Sequence, residues 1–277
     1  MPEEIEDLSP FFDDPCWMCV LLAREADVGV ILRRGPTQWW RVTLWDTKRD
    51  TFEGGQWFRG RIYPEKCDVS PNGKLFIYFA GQFHTRNADK GYRDTWTAVS
   101  RPPFLTALTL WPIGDTWAGT GVFIDNYTVS VIAFAPQHHP KHPLGPLTLV
   151  DDAQIADNRP QPSWNHGWRP AEPASEPRSV SVKSCGDLIL GREVHKFSAS
   201  RIRKPYAIYR KNGDLLTLFE AHWADWDQQG RLVVTVGGRV LVGELTKKKR
   251  KLRWRQLAAM HEEKPIRMEA PDWAQRW

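Results

Sequence analysis

Two short stretches of this chain share one pattern, and that pattern restricts what the chain can fold into. They read "CDVSPNGKLFIYFAG" at 67–81 and "ADWDQQGRLVVTV" at 224–236. In each, an aspartate (Asp68, Asp225) stands five residues before a glycine (Gly73, Gly230). A basic residue follows the glycine (Lys74, Arg231), and an apolar run starts at once (Leu75-Phe76-Ile77, Leu232-Val233-Val234). Glycine adopts positive φ without a Cβ clash, so each stretch reads as a tight turn feeding a buried strand. Asn212-Gly213 between two apolar runs is a further hairpin signal. Cys185-Gly186-Asp187-Leu188 repeats the opening of that unit. One small β unit recurs along the chain.

Composition agrees. Of 277 residues, 41% are hydrophobic, enough for a large core. The 15 Trp favour strands and interfaces, and 21 Pro with 20 Gly supply many turns. Helical periodicity is confined to short pieces at 151–157 and the two termini. The expectation is an all-β chain. No apolar window of about 18 residues is present to span a membrane as a helix. The start, "MPEEIEDLSPFFDDP", is acidic and lacks the basic and apolar regions of a secretory leader. With four cysteines (Cys16, Cys19, Cys67, Cys185), this leads to an expected cytoplasmic location.

The run Asp-x-Ser-Pro-Asn-Gly-Lys-Leu-Phe-Ile-Tyr at 68–78 resembles the strand signature of irregular β-propellers of the WD-repeat and TolB-like kind. The clear matches are the two quoted stretches. Trp-Asp occurs at 45–46 and 226–227, outside the usual closing position, and the Gly-His partner dipeptide is missing, so no subfamily is identified. The resemblance implies a propeller. At about 40–50 residues per blade, the β-rich part allows about five blades. A pair of β-sandwiches divided at the proline-rich region is the rival architecture.

The chain divides by composition into an acidic N-terminal segment (1–15), a first β half (16–135), a proline-rich insertion (136–179), a second β half (180–259) and a C-terminal tail (260–277). The insertion holds Pro136, Pro140, Pro143, Pro146, Pro160, Pro162, Pro170, Pro173 and Pro177, which resist continuous sheet. One strand is expected in it, at "PLTLV". The tails are expected to be non-β, and "WMCVLLA" is expected to pair with "LRWRQLA" across the two ends.

Catalytic signatures are sparse. Gly-x-Ser-x-Gly and the phosphate-binding loop are missing, and Gly119-Thr120-Gly121 has no third glycine or following helix. Asp68, Asp115 and Asp225 precede strands. They read as turn caps first, and as acid–base carboxylates at a channel mouth second. Cys16-x-x-Cys19 has metal-knuckle spacing but no second pair, and His138, His139 and His142 are gathered around Pro140. Neither set is expected to hold a metal, and no cofactor is expected.

Charge is the local outlier. Lys247, Lys248, Lys249, Arg250, Lys251, Arg253 and Arg255 crown a hairpin, and these seven exceed the formal net charge of +5. Such a tip suits an acidic protein surface, a set of phosphates, or simply solvent. Trp254 alternates with Arg253 and Arg255 and is expected to face the core. Trp164, His166 and Trp168 read as pinning the insertion to its own fold. Trp273 and Trp277 in the tail read as candidate partner anchors. The function expected is a non-enzymatic, protein-binding or scaffold subunit of a multi-protein assembly. The alternatives are a nucleic-acid-associated propeller using 247–255, and a hydrolase with channel carboxylates.

Overall fold

The computed structural model describes residues 4–83, 90–132, 137–150, 166–171, 179–194, 203–246 and 251–277. The chain forms two compact units: Met1–Cys19 with His166–Lys264 (unit 1), and Val20–Asn165 with Pro265–Trp277 (unit 2). The described residues form five sheets, nearly all antiparallel, and no helix among them is long and apolar enough to cross a membrane.

The described chain opens with β1 (Glu4–Ile5), which belongs to a sheet of unit 1. Then β2 (Trp17–Leu22), β3 (Val28–Arg34), β4 (Trp39–Asp46) and β5 (Thr51–Arg59) form a sheet in sequence order. The boundary between the units falls inside β2.

Unit 2 continues with β6 (Arg61–Ile62) and β7 (Asp68–Val69), which both pair with β8 (Phe76–Gly81). Beyond β8 lie β9 (Thr95–Ser100) and β10 (Thr109–Pro112). Every residue of β8 is buried, as a central strand of five apolar residues and a glycine requires. The third sheet holds β11 (Gly121–Phe123), β12 (Thr128–Val131) and β13 (Thr148–Val150). β13 is the strand expected at "PLTLV", and it runs parallel to β12. The long connection before it makes that possible, since a parallel neighbour needs a crossover and not a hairpin.

Unit 1 carries β14 (Arg169–Pro170), β15 (Ser179–Cys185), β16 (Leu188–Val194), β17 (Lys204–Arg210) and β18 (Leu215–Ala221) in one sheet. Its second sheet contains β19 (Trp223–Trp226), β20 (Leu232–Val236), β21 (Arg239–Leu245) and β22 (Leu252–Ala259). The order in that sheet is β1-β22-β21-β20-β19.

The terminal pairing differs from expectation. "LRWRQLA" pairs with Glu4–Ile5, in register Glu4↔Arg255 and Ile5↔Trp254, and "WMCVLL" goes to β3. Five of the six residues of β2 are buried, so it suits an apolar sheet next to its near neighbour in sequence. The N-terminal segment is therefore part of the β structure and not a non-β tail. The C-terminal tail does hold a helical turn, α1 (Asp272–Gln275), whose Ala274 packs with Phe104 and Ala270.

The two motif stretches take similar local forms in different sheets and different units, the loop of the first being one residue longer. Asp68 pairs with Ile77, and Asp225 with Val233. Ser70 N–H donates to Leu75 O at 2.9 Å and Gly73 N–H to Ser70 O at 2.8 Å. The counterparts are Asp227 N–H to Arg231 O at 3.0 Å and Gly230 N–H to Asp227 O at 2.9 Å. Gly73 has φ +73° and Gly230 φ +71°. The turn caps are not the motif aspartates but residues two positions later. Ser70 Oγ accepts Leu75 N–H at 2.9 Å, and Asp227 Oδ1 accepts Gln229 N–H at 3.0 Å and Arg231 N–H at 2.8 Å.

Gly73 is tightly enclosed: a Cβ there would lie 2.7 Å from Val28 Cβ, whereas at Gly213 (φ +92°) nothing lies within 4 Å. Gly213→Ala is expected to cost only backbone strain, about 1–2 kcal/mol. Gly73→Ala is expected to cost at least about 1 kcal/mol more through overpacking. Urea denaturation of the two variants side by side checks the order, and equal losses would contradict the enclosure of Gly73.

Candidate functional site

The motif aspartates are buried and tie neighbouring segments together. Asp68 is fully buried; Oδ1 accepts Val69 N–H at 2.8 Å and Oδ2 accepts Phe123 N–H of β11 at 2.9 Å. In unit 1, Asp225 Oδ1 accepts Trp226 N–H at 2.6 Å and pairs with Lys183 Nζ at 2.6 Å. Its Oδ2 accepts Trp168 Nε1–H at 3.0 Å. Trp168 is buried, with the Arg192 guanidinium 3.9 Å from its ring centroid. So Trp168 pins its segment into the core. Asp115 Oδ1 accepts Trp117 N–H at 2.7 Å and Ala118 N–H at 2.9 Å, a local turn cap. All three carboxylates are committed to structural hydrogen bonds.

The imidazoles are committed as well. His139 is buried and stacks on Tyr92 at 4.1 Å. Its Nδ1 accepts Lys141 N–H at 3.2 Å, so Nε2 carries the proton that faces Lys90 O at 2.8 Å. His142 has the other tautomer, with Nδ1 facing Ala107 O at 2.9 Å and Nε2 facing Tyr92 Oη at 3.1 Å. Burial holds the pKa of His142 below its ordinary value. Both rings use both nitrogens. Cys16 and Cys19 are buried thiols, and no group of three metal-ligating side chains occurs among the described residues.

A pocket of about 580 Å³ lies in unit 1 where β18 faces β22 and the segment after β1. Apolar lining comes from Leu8, Phe12, Leu218, Phe219, Leu252 and Trp254; Glu6, Asp7, Glu220, Lys251 and Arg253 supply the charges. β18 is the last strand of its sheet, and its outer edge has no backbone hydrogen-bond partner among the described residues. Leu218 on that edge is 68% exposed and Leu215 is 45% exposed. Trp254 is 3% exposed and meets Phe219 edge-on at 5.4 Å, so the alternation with Arg253 does turn it to the core.

The basic segment is thus partly placed. Lys251 and Arg253 are exposed and line the pocket, while Arg255 is half-buried beside Glu4. Lys247, Lys248, Lys249 and Arg250 lie outside the described residues, as does Trp164. In unit 2, Trp273 is 54% exposed and meets Phe104 edge-on at 5.6 Å. Trp277 packs over Gly145 and donates to Pro143 O at 3.2 Å, an anchorage within its own unit. The pocket brings together Lys251 and Arg253 only. Leu215 and Leu218 escape a reading of the sequence, because "LLTLFEA" is an ordinary strand; only sheet order reveals an edge.

No protein-family model matches the chain, and no curated protein matches it in sequence. Among solved structures, the crystal structure of TolB from Acinetobacter baumannii is similar, at 14% identity and a TM-score of 0.30. The alignment covers 88% of this chain and 54% of that one, so the chain spans about half of that structure's length. The sheets themselves define the all-β fold.

Two expectations follow. Asp225→Ala leaves the buried Trp168 N–H and the half-buried Lys183 ammonium without their acceptor, and is expected to cost about 3 kcal/mol. A drop in thermal midpoint checks this, and an unchanged midpoint would contradict the pairing. The second concerns pH. His222, edge-on to Phe12 at 5.4 Å, has its pKa pushed down to about 4, first by burial and then by the Lys204 charge, with Asp14 opposing. Below the unfolded value of about 6.5 the unfolded chain binds the proton more readily. The stability held above pH 6.5 is therefore lost as pH falls towards 4. His222→Gln is expected to flatten the decline in thermal midpoint between pH 6.5 and 4.5, with His142 contributing to the slope that remains.

Proposed function

We propose that the chain is a non-catalytic, protein-binding module that works as a subunit of a multi-protein cytosolic assembly, with its sheets arranged as the blades of a propeller. One observation carries the binding reading: the outer edge of β18 is unpaired among the described residues and stands beside the pocket of about 580 Å³ with Leu218 exposed on it. An unpaired edge takes an extended peptide as an added strand, where main-chain bonds give affinity and side-chain pockets give selectivity. The apolar lining of Phe219, Leu252 and Trp254 suits apolar side chains at alternate positions. Lys251 and the basic run before it suit carboxylates between them. The structural engagement of Asp68, Asp115 and Asp225 speaks against the hydrolase reading.

Fluorescence anisotropy with labelled ten-residue peptides tests the reading. A peptide alternating Val and Glu is expected to bind. Its counterpart with proline at alternate positions, which lacks the N–H donors, is expected to fail. Leu218→Glu should abolish binding while shifting stability by no more than about 0.5 kcal/mol. If neither peptide binds, or if Leu218→Glu binds as wild type does, the edge is not the site. A titration with single-stranded oligonucleotide runs in parallel, and a tight complex weakening steeply with salt would favour the nucleic-acid reading of 247–255.

A further inference from the structure

Asn-Gly occurs twice in the chain, at 72–73 and at 212–213. The pair is chemically distinctive. Glycine has no Cβ to shield its backbone nitrogen, so that nitrogen can reach the side-chain carbon of the asparagine before it. The structure treats the two copies in opposite ways.

Asn72 is clamped from several directions. Its Oδ1 accepts Ser70 Oγ–H at 2.8 Å and Lys74 N–H at 3.0 Å. Its own N–H donates to Asn126 Oδ1 at 2.9 Å, on the hairpin between β11 and β12. Gly73 is pressed against Val28. Attack requires the asparagine side chain to leave its bonds and swing towards the glycine nitrogen. This turn is tied to a distant segment and has no space beside the glycine.

Asn212 forms the tip of the hairpin between β17 and β18. Lys211, Asn212, Gly213 and Asp214 are all exposed. A Cβ at Gly213 would meet nothing within 4 Å. Among the described residues, the Asn212 side chain bonds only to Asp214: Oδ1 accepts its N–H at 3.1 Å, and Nδ2 donates to its Oδ2 at 2.9 Å. β18 has a neighbour on one side only among the described residues. Local opening is cheapest where backbone bonds are exposed and packing is sparse. Gly213 N–H donates to Arg210 O at 2.9 Å and Gly73 N–H to Ser70 O at 2.8 Å, so a bond at the glycine nitrogen does not distinguish the copies. Enclosure does.

We propose that Asn212 is a site of spontaneous covalent modification from which Asn72 is protected. The Gly213 nitrogen attacks Cγ of Asn212. A C–N bond forms, the Cγ–Nδ2 bond breaks, and the amide nitrogen leaves as ammonia with the proton of Gly213 N–H. Water then opens the cyclic imide at either carbonyl and leaves aspartate or isoaspartate at 212. Water is the sole co-reactant. Either product puts a carboxylate where Nδ2 had donated to Asp214, so a hydrogen bond becomes a contact between like charges. Isoaspartate also adds a methylene to the main chain of the turn. Turn length fixes hairpin register, so β18 loosens against β17. This chemistry does not depend on whether the edge of β18 takes a peptide.

The test incubates the full chain in mildly alkaline buffer, folded and in urea, with samples taken over time. Peptide mapping by mass spectrometry follows the mass gained when OH replaces NH2 at each asparagine, and isoaspartyl methyltransferase reports isoaspartate. In the folded chain Asn212 is expected to convert at least about 10-fold faster than Asn72, whose turn has to open first. In urea the two are expected to convert at similar rates. Asn212→Gln keeps the amide but closes the ring poorly, and its 212 peptide is expected to gain no mass. Hydrogen exchange of the backbone at 215–221 is expected to be several-fold faster in the converted chain than in the fresh one. The proposal is overturned if Asn212 persists in the folded chain while it converts in urea, or if Asn72 in the folded chain keeps pace with it. Mass gain in the Asn212→Gln peptide, or unchanged exchange at 215–221 after conversion, overturns it as well.

Discussion

The buried carboxylate at the start of each turn-and-strand unit is the interaction on which both units depend. A buried charge must be paired or hydrogen-bonded, and losing one partner costs several times what the pair contributes. Asp68 meets this requirement with two backbone N–H groups, one of them on a different sheet. Asp225 meets it with a backbone N–H, an indole N–H and an ammonium. Each carboxylate therefore joins its hairpin to a neighbouring segment. The same demand that makes these residues costly to bury makes the adjoining sheets cohere.

Much of the fold was legible because it is written locally. Asn-Gly and Ser-Pro-Asn-Gly turns have backbone requirements that a short window contains, and the turn-and-strand units at 67–81, 209–220 and 224–236 formed where the turns predicted them. Alternation turned Trp254 inward for the same reason. The role of the motif aspartates was legible only in part. Their burial partners, Phe123, Trp168 and Lys183, are distant in sequence, so a local capping role looked sufficient. The terminal pairing failed on the same ground. Two residues, Glu4 and Ile5, carry no strand signal that a window could detect, yet β22 selects them.

The candidate surfaces were harder to read than the core. Burial follows from apolar patterning, but exposure of an apolar residue follows from which strand ends a sheet. Leu218 has the same sequence surroundings as a core leucine and becomes a surface residue because β18 has no outer neighbour among the described residues. The basic run at 247–255 stood out at once, yet charge states only what kind of surface it prefers. The neighbours in space of Lys251 and Arg253, and not the run's own composition, give those two residues an apolar pocket to work beside.

The pairing of β1 with β22 has a consequence for how the chain is made. Unit 1 takes one strand from residues 4–5 and that strand's partner from residues 252–259. On a ribosome adding about 5–20 residues each second, the early strand waits on the order of 10–50 s for its partner to emerge. During that interval Ile5, Leu8 and Phe12, which later belong to the core of unit 1, have no core to enter. The continuous stretch 20–165 of unit 2 is complete long before. Vectorial synthesis thus brings most of unit 2 to completion before unit 1, with its 265–277 segment last of all, and Ile5, Leu8 and Phe12 are exposed to a chaperone for the longest interval.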